Sequence, residues 1–276
     1  MEVILADYLG FCYGVKRAIM IAKESASADG NTCTLGPIIH NPQMVARLKS
    51  EGVGSIDSLD EMNQGTVIIR SHGVGPEVYE EVSRRGLTFV DATCPHVKKA
   101  QLSAKSLVEE GYSVVIIGEK KHPEVQSIFE WTGGTAKIIE TEAEVSQVKP
   151  CARLGIVCQT TFSSKRFSQM VSLLLEKARD IKILRTICTA TDQRQQAAID
   201  LACKVDMMLV IGGKNSANTT RLAQICAEHC KTYHIETAAE LQDDWFDNIE
   251  KIGITAGAST PDWIIKEVYK KCQNRA

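Results

Sequence analysis

Three of the ten cysteines in this 276-residue chain keep different company from the rest. Cys12 lies in Gly10-Phe11-Cys12-Tyr13-Gly14, Cys94 in Asp91-Ala92-Thr93-Cys94-Pro95, and Cys188 in Thr186-Ile187-Cys188. Each comes at roughly even spacing, after an apolar strand-like run and before a helix-like one. A helix start favours the thiolate, which is the form that binds metal. A complete 4Fe–4S centre takes four thiolates. Three would leave one iron open for a substrate, as catalytic zinc sites leave one position open. No tight Cys-x-x-Cys run is present, so spacing alone also allows three small core residues. The glycine and proline beside Cys12 and Cys94 make that second reading the poorer one, because such loops pack badly.

A second polar set falls at equivalent places. His40 ends Gly36-Pro37-Ile38-Ile39-His40, His72 follows Ile68-Ile69-Arg70-Ser71, and His122 with Glu124 lies just past Val114–Gly118. Thr160 follows the run at 154–158, Ser216 and Asn218 follow Leu209-Val210-Ile211-Gly212-Gly213, and Ser259 follows Thr255-Ala256-Gly257-Ala258. In open α/β sheets, ligands bind beyond the carboxyl ends of strands. A lone histidine there is commonly structural. Three of them, with Ser216, Asn218 and Ser259, suit a diphosphate held by neutral donors and by helix N-termini. Arginine clamps are scarce at these ends. Glu124 has two readings: a desolvated carboxyl group arriving protonated as proton donor, or a first-turn glutamate favoured by the helix dipole. Thr160 is placed to relay or orient that proton.

The remaining cysteines read as ordinary. Cys158, Cys203 and Cys226 fall in apolar patterns and are expected in the core. Cys226, His229, Cys230 and His234 imitate a zinc set, but the first three are expected on one helix. Cys33, Cys151 and Cys272 have no evident partner, and His96 is expected to face solvent.

What must position these groups is a repeated strand–loop–helix rhythm. Apolar, largely β-branched runs at 3–6, 66–70, 87–90, 113–117, 154–158, 181–184, 207–211 and 252–255 read as buried parallel strands. Helices begin at Asn41-Pro42, Gly75-Pro76 and Pro95 and stop at Gly52, Gly86 and Gly111. The alternation predicts an α/β fold with parallel sheets. The even spacing of the three cysteines suggests three similar lobes around a common centre. The lobes are expected at 1–93, 94–187 and 188–261, with the tail at 262–276 packing back on the first.

Composition narrows the partners. A formal net charge of −2 with no basic run argues against nucleic acid. No apolar stretch is long enough for a membrane span. Met1 leads straight into Val3-Ile4-Leu5-Ala6 and not into a basic, then apolar, leader, so a cytoplasmic protein is expected. Ten cysteines in such a reducing setting are core residues or ligands.

Taken together, the motifs quoted above, with Arg70-Ser71-His72-Gly73-Val74, His122-Pro123-Glu124-Val125, Gln159-Thr160-Thr161 and Asn215-Ser216, resemble the IspH/LytB family of 4-hydroxy-3-methylbut-2-enyl diphosphate reductases. Nine motifs agree in order along nearly the whole chain. The resemblance implies three α/β lobes, pseudo-threefold, around a central cavity. It implies reductive loss of a hydroxyl group from the allylic diphosphate, giving isopentenyl and dimethylallyl diphosphates, the last step of the non-mevalonate pathway. It implies one 4Fe–4S cluster on Cys12, Cys94 and Cys188. His40, His72, His122, Ser216, Asn218 and Ser259 would hold the diphosphate, and Glu124 would deliver the proton beside Thr160. Electrons would come from an external ferredoxin or flavodoxin, since no flavin or dinucleotide fingerprint is present. Three positions depart from the family pattern. Ala217 stands where a second serine is frequent, and Lys121 and Ser127 flank the His-Pro-Glu motif where small residues are common. An iron–sulfur hydro-lyase or a cluster-binding redox sensor would share the cysteines but not the full histidine, serine and asparagine set.

Overall fold

Parallel strands buried on both faces need apolar side chains at consecutive positions, and the central strands here have them. The computed structural model describes residues 1–29 and 31–275. Its strands are β1 (Glu2–Leu5), β2 (Thr32–Leu35), β3 (Val53–Ile56), β4 (Thr66–Ile69), β5 (Thr88–Asp91), β6 (Ser113–Ile117), β7 (Lys137–Ile139), β8 (Cys151–Cys158), β9 (Ala178–Ile183), β10 (Met207–Ile211), β11 (Lys231–Ile235) and β12 (Lys251–Ala256). The helices are α1 (Tyr13–Asp29), α2 (Pro42–Ser50), α3 (Pro76–Arg84), α4 (Pro95–Glu109), α5 (Pro123–Glu130), α6 (Ser164–Leu174), α7 (Thr189–Ala202), α8 (Ala217–Ala227) and α9 (Asp262–Gln273). Proline opens α2, α3, α4 and α5, where its missing N–H has no helical partner to lose.

Three four-stranded sheets result, ordered β3-β2-β4-β5, β7-β6-β8-β9 and β1-β12-β10-β11. Every pairing within them is parallel. In the first two, the opening strand lies between the second and third, and the fourth adds beside the third. The third sheet repeats this order with β10, β11 and β12, but its fourth place is taken by β1.

The chain divides into two compact units. One comprises residues 17–38 and 47–188 and contains the first two sheets. In its second sheet β6 shows the period-two rule of strands. Val115 and Ile117 pack on one side with Phe167 and Met170 of α6, and Val114 and Ile116 pack on the other with Ala100 and Ala104 of α4. The other unit comprises residues 1–16, 39–46 and 189–276. There Met207, Leu209 and Ile211 of β10 face α9 through Ile264 and Val268. Met208 and Val210 face α7 and α8 through Ala198 and Leu222. Each buried valine, leucine, isoleucine, methionine or phenylalanine among them contributes roughly 1.5–3 kcal/mol.

All eight anticipated strands are present. β2, β3, β7 and β11 were not anticipated. Three of these lie at sheet edges, where one side needs no apolar cover, and β2 carries two buried threonines, Thr32 and Thr34. No described helix is long and apolar enough to cross a membrane.

Candidate active site

The polar residues singled out from the sequence fall at strand ends and helix starts, and each unit gathers its own group. In the unit built on β6 and β8, α5 begins at Pro123, so Glu124 sits in its first turn with His122 as the capping residue. His122 Nδ1 accepts the Glu124 N–H at 3.1 Å, which fixes the neutral imidazole tautomer with its proton on Nε2. Glu124 is 2% exposed. Its Oε1 accepts the Thr160 N–H at 2.6 Å, and its Oε2 takes the Thr160 hydroxyl at 2.9 Å. Burial pushes the Glu124 carboxyl group up to about 7, against the pull of both Thr160 bonds and with some help from the Glu119 charge. When Glu124 is protonated, the Thr160 hydroxyl can turn round and accept. Glu124 is thus both a first-turn glutamate and a desolvated carboxyl group. Lys121 is exposed, and the neighbouring charge that Glu124 feels is that of Glu119.

Thr160 also reaches the third cysteine, because its carbonyl accepts the Cys188 N–H at 3.0 Å. Two residues earlier, Thr186 Oγ1 accepts the Cys158 N–H at 2.9 Å and so ties the Cys188 loop to the end of β8. The Cys94 N–H donates to Ser71 O at 3.0 Å, one residue from His72. Asp91 Oδ1 takes the Thr93 N–H at 2.9 Å, and Arg17 donates to Asp91 O and Thr93 O at 3.3 and 3.1 Å. The His72 and His122 rings meet edge to face, 5.5 Å between centroids. Ser127 joins their two elements: its hydroxyl lies 3.1 Å from His72 O and 2.8 Å from Glu124 O, and it accepts from Gln101 Nε2 at 3.0 Å.

The other unit holds Cys12, His40, Ser216, Asn218 and Ser259. The Cys12 N–H donates to Ala258 O at 3.2 Å, and buried Arg194 donates to Gly10 O at 2.7 Å. Ser259 Oγ donates to His40 O at 3.1 Å, placing two diphosphate candidates side by side. Ser216 caps α8 and accepts the Thr219 N–H at 3.4 Å. Asn218 is 5% exposed, and its Nδ2 has no hydrogen-bond partner among the described residues. A buried amide left this way costs about 1–3 kcal/mol unless something accepts from it. Together with the α8 dipole, that suits an anion. Ala217, the first residue of α8, adds no side-chain donor there. Two glycines set the close approach of α8 to the sheet. Gly212 has φ +143° and Gly257 faces Thr219 so closely that a Cβ would collide with its hydroxyl.

The cysteines separate by burial. Cys158, Cys226 and Cys272 are fully buried, and burial raises each thiol, Cys226 to about 12 and Cys272 to about 11. Cys12, Cys94 and Cys188 are only half-buried, as are Cys33, Cys151 and Cys230, and none of the ten is in a disulfide. What sets Cys12, Cys94 and Cys188 apart is their place at loop–helix junctions, each with its backbone N–H tied to a neighbouring strand-end loop, a setting that suits thiolate ligation better than core packing. Cys203 was expected in the core and is instead exposed, because it falls one residue past α7, beyond that helix's apolar face. His229 Nδ1 lies 3.6 Å from its sulfur. Cys226, His229 and Cys230 were expected on one helix; α8 ends at Ala227, so only Cys226 is on it. His96 is exposed as expected.

Gln101, Arg17 and Arg194 escaped sequence reasoning, and Ser127 was singled out only as a departure from the family pattern, with no role. A polar residue on a helix reads as a solvated face, and only the helical period of their buried neighbours could have flagged Gln101 and Arg194, which are 0% and 6% exposed.

Comparison with known proteins returns one consistent family. A family model described as LytB protein matches residues 3–273. A relative from Syntrophotalea carbinolica named 4-hydroxy-3-methylbut-2-enyl diphosphate reductase is 50% identical, covering 98% of this chain and 98% of its own. One of the same name from Geobacter metallireducens is also 50% identical, covering 98% and 96%. A solved structure of (E)-4-hydroxy-3-methyl-but-2-enyl diphosphate reductase, described as the terminal enzyme of the non-mevalonate pathway, is 46% identical with TM-score 0.73, covering 99% of this chain and 100% of its own. The E-1-hydroxy-2-methyl-but-2-enyl-4-diphosphate reductase from Plasmodium falciparum is 28% identical with TM-score 0.93, covering 99% and 87%.

Proposed function

The chain belongs to the LytB protein family, and from that premise we propose that it reduces 4-hydroxy-3-methylbut-2-enyl diphosphate to isopentenyl and dimethylallyl diphosphates with loss of water. Cys12, Cys94 and Cys188 hold one 4Fe–4S cluster in this reading. When bound, that group supplies electrons and, at the iron left open by three thiolates, Lewis acidity toward the substrate hydroxyl. His40, His72, His122, Ser216, Asn218 and Ser259 hold the diphosphate and so orient the allylic alcohol, which lowers the entropic part of the barrier. An external one-electron carrier of ferredoxin or flavodoxin type supplies the reducing equivalents. A reducing, cytoplasmic setting goes with this reading, because the cysteine ligands must stay as thiols until the cluster binds.

The observation that carries the reading is Glu124. A carboxyl group raised to about 7 is partly protonated near neutral pH, as a general acid for a departing hydroxyl must be. Thr160, bonded to both carboxyl oxygens, holds it in one orientation and can return a proton to it. The test is anaerobic turnover of the hydroxymethylbutenyl diphosphate by reconstituted protein, with dithionite and a viologen dye, comparing wild type with Glu124→Gln. Wild-type conversion to the two five-carbon diphosphates, falling about 10²-fold or more in the variant, is expected. No turnover by protein with a full complement of iron and sulfide would sink the reading in favour of a hydro-lyase or a sensor.

A further inference from the structure

α4 begins directly after Cys94 and shows solvent one continuous face. Its inner side is Val97, Ala100, Gln101, Ala104 and Leu107. The opposite side, Pro95, Lys98, Lys99, Leu102, Ser103 and Ser106, follows the i, i+3, i+4, i+7 spacing of a single helical stripe. This stripe lines an open groove of about 690 Å³. The groove also reaches Thr93, immediately before Cys94, and Leu184, four residues before Cys188. The Lys98 N–H donates to Cys94 O at 2.9 Å, so the lysines stand one turn from that cysteine.

The groove is more positive than the chain's overall balance. The chain carries a formal net charge of −2, yet the groove sets Arg17, Lys98 and Lys99 against one carboxylate, Asp91. Two of the cations are held in place. Arg17 is bonded to Asp91 O and Thr93 O. The Lys98 ammonium lies 4.7 Å over the Trp131 ring and 4.8 Å over Tyr79, with Asp91 at 3.8 Å. Lys99 is exposed, and Leu102 is 48% exposed on the same stripe. A few fixed cations around a small apolar contact suit a brief electrostatically steered encounter with an acidic surface, and redox encounters are at the small end of protein interfaces.

We propose that the outer face of α4, with Arg17, is where an acidic one-electron carrier protein docks, beside the residues that flank Cys94 and Cys188. This rests on the reductase reading above. Each encounter oxidises the carrier by one electron. Two encounters supply the two electrons which, with two protons, turn the substrate's C–OH into C–H and water.

The test compares donors in the holoprotein. Methyl viologen reduced by dithionite is a small cationic dye that needs no docking face, whereas a reduced flavodoxin of acidic surface does. Lys99→Glu and Leu102→Glu should raise the apparent KM for flavodoxin at least tenfold and leave viologen-driven turnover within twofold of wild type. Lys149→Glu, an exposed charge reversal away from the groove, should change neither. Carbodiimide cross-linking of the holoprotein to oxidised flavodoxin should join carrier carboxylates to Lys98 or Lys99, as read by mass spectrometry. Equal flavodoxin KM in Lys99→Glu and Lys149→Glu, or cross-links that avoid α4, overturns the docking face while viologen turnover persists. Loss of viologen turnover in the wild type overturns the reductase reading and this inference with it.

Discussion

Ser127 has one hydroxyl hydrogen and two carbonyls within reach, His72 O and Glu124 O, while Gln101 donates to its oxygen. It therefore couples the loop carrying His72 to the first turn carrying His122 and Glu124, and one donated and one accepted bond are lost if it goes. Ser127→Ala should lower stability by about 1–3 kcal/mol, seen as a lower denaturant midpoint, with kcat falling more than KM rises, because the acid is displaced more than the diphosphate. Glu124 makes a pH prediction. Its carboxyl group is raised from 4.5 to about 7. Between those values the folded chain holds a proton that the unfolded chain has released, so stability falls as pH rises. The contribution is complete below the unfolded value and is lost through pH 7, roughly 3 kcal/mol in the limit. Urea midpoints of the apoprotein between roughly pH 5 and 7.5 should show this slope, and Glu124→Gln should flatten it. Legibility at this scale followed chemistry. Cysteines and histidines after apolar runs stand out because few structural roles want them there. Gln101 does not, and Ser127 stood out only as a departure from the family pattern, because nothing in a single sequence tells a buried serine from a solvated one.

At the scale of elements, α8 carries Ser216 and Asn218 and owes its seat to Gly212 and Gly257. Gly257→Ala would push Thr219, and α8 with it, off the sheet. A loss of about 1–3 kcal/mol is expected, without change in the denaturant slope. Binding of inorganic diphosphate, followed by calorimetry, should weaken in parallel because Asn218 moves with the helix. Proline-started helices and strands such as β4, β6 and β10 were readable, since each is apolar at every position that two covered faces require. β11, Lys-Thr-Tyr-His-Ile, was not, because an edge strand needs only partial cover and its polar residues read as loop. β7 has three residues, too few to show a period.

The whole molecule repeats one strand order three times, and the third time it draws β1 from the far end of the chain. β1 covers one side of β12, in register from Glu2 with Lys251 to Leu5 with Ile254, and α9 packs against it through the cluster around Val3 and Ile264. Removing residues 1–6 should leave β12 with an unpaired edge and α9 without a floor. Limited proteolysis is expected to cut that variant first within 189–276, while 47–188, whose sheets contain no part of the deleted segment, stays protected. The repeat itself was only half visible from sequence. Even cysteine spacing hinted at it, but strand order lies in pairings between distant segments that no local pattern records.

That borrowed strand has a consequence during synthesis. As the chain leaves the ribosome, β1 emerges first and β12, its partner, almost last, so at about 5–20 residues per second it must wait many seconds for its neighbour. Both sheets of the other unit are complete once Ile183 is out. The nascent protein therefore matures from the middle outward, and Cys12, the first of the three thiols to be made, is the last to reach its final surroundings.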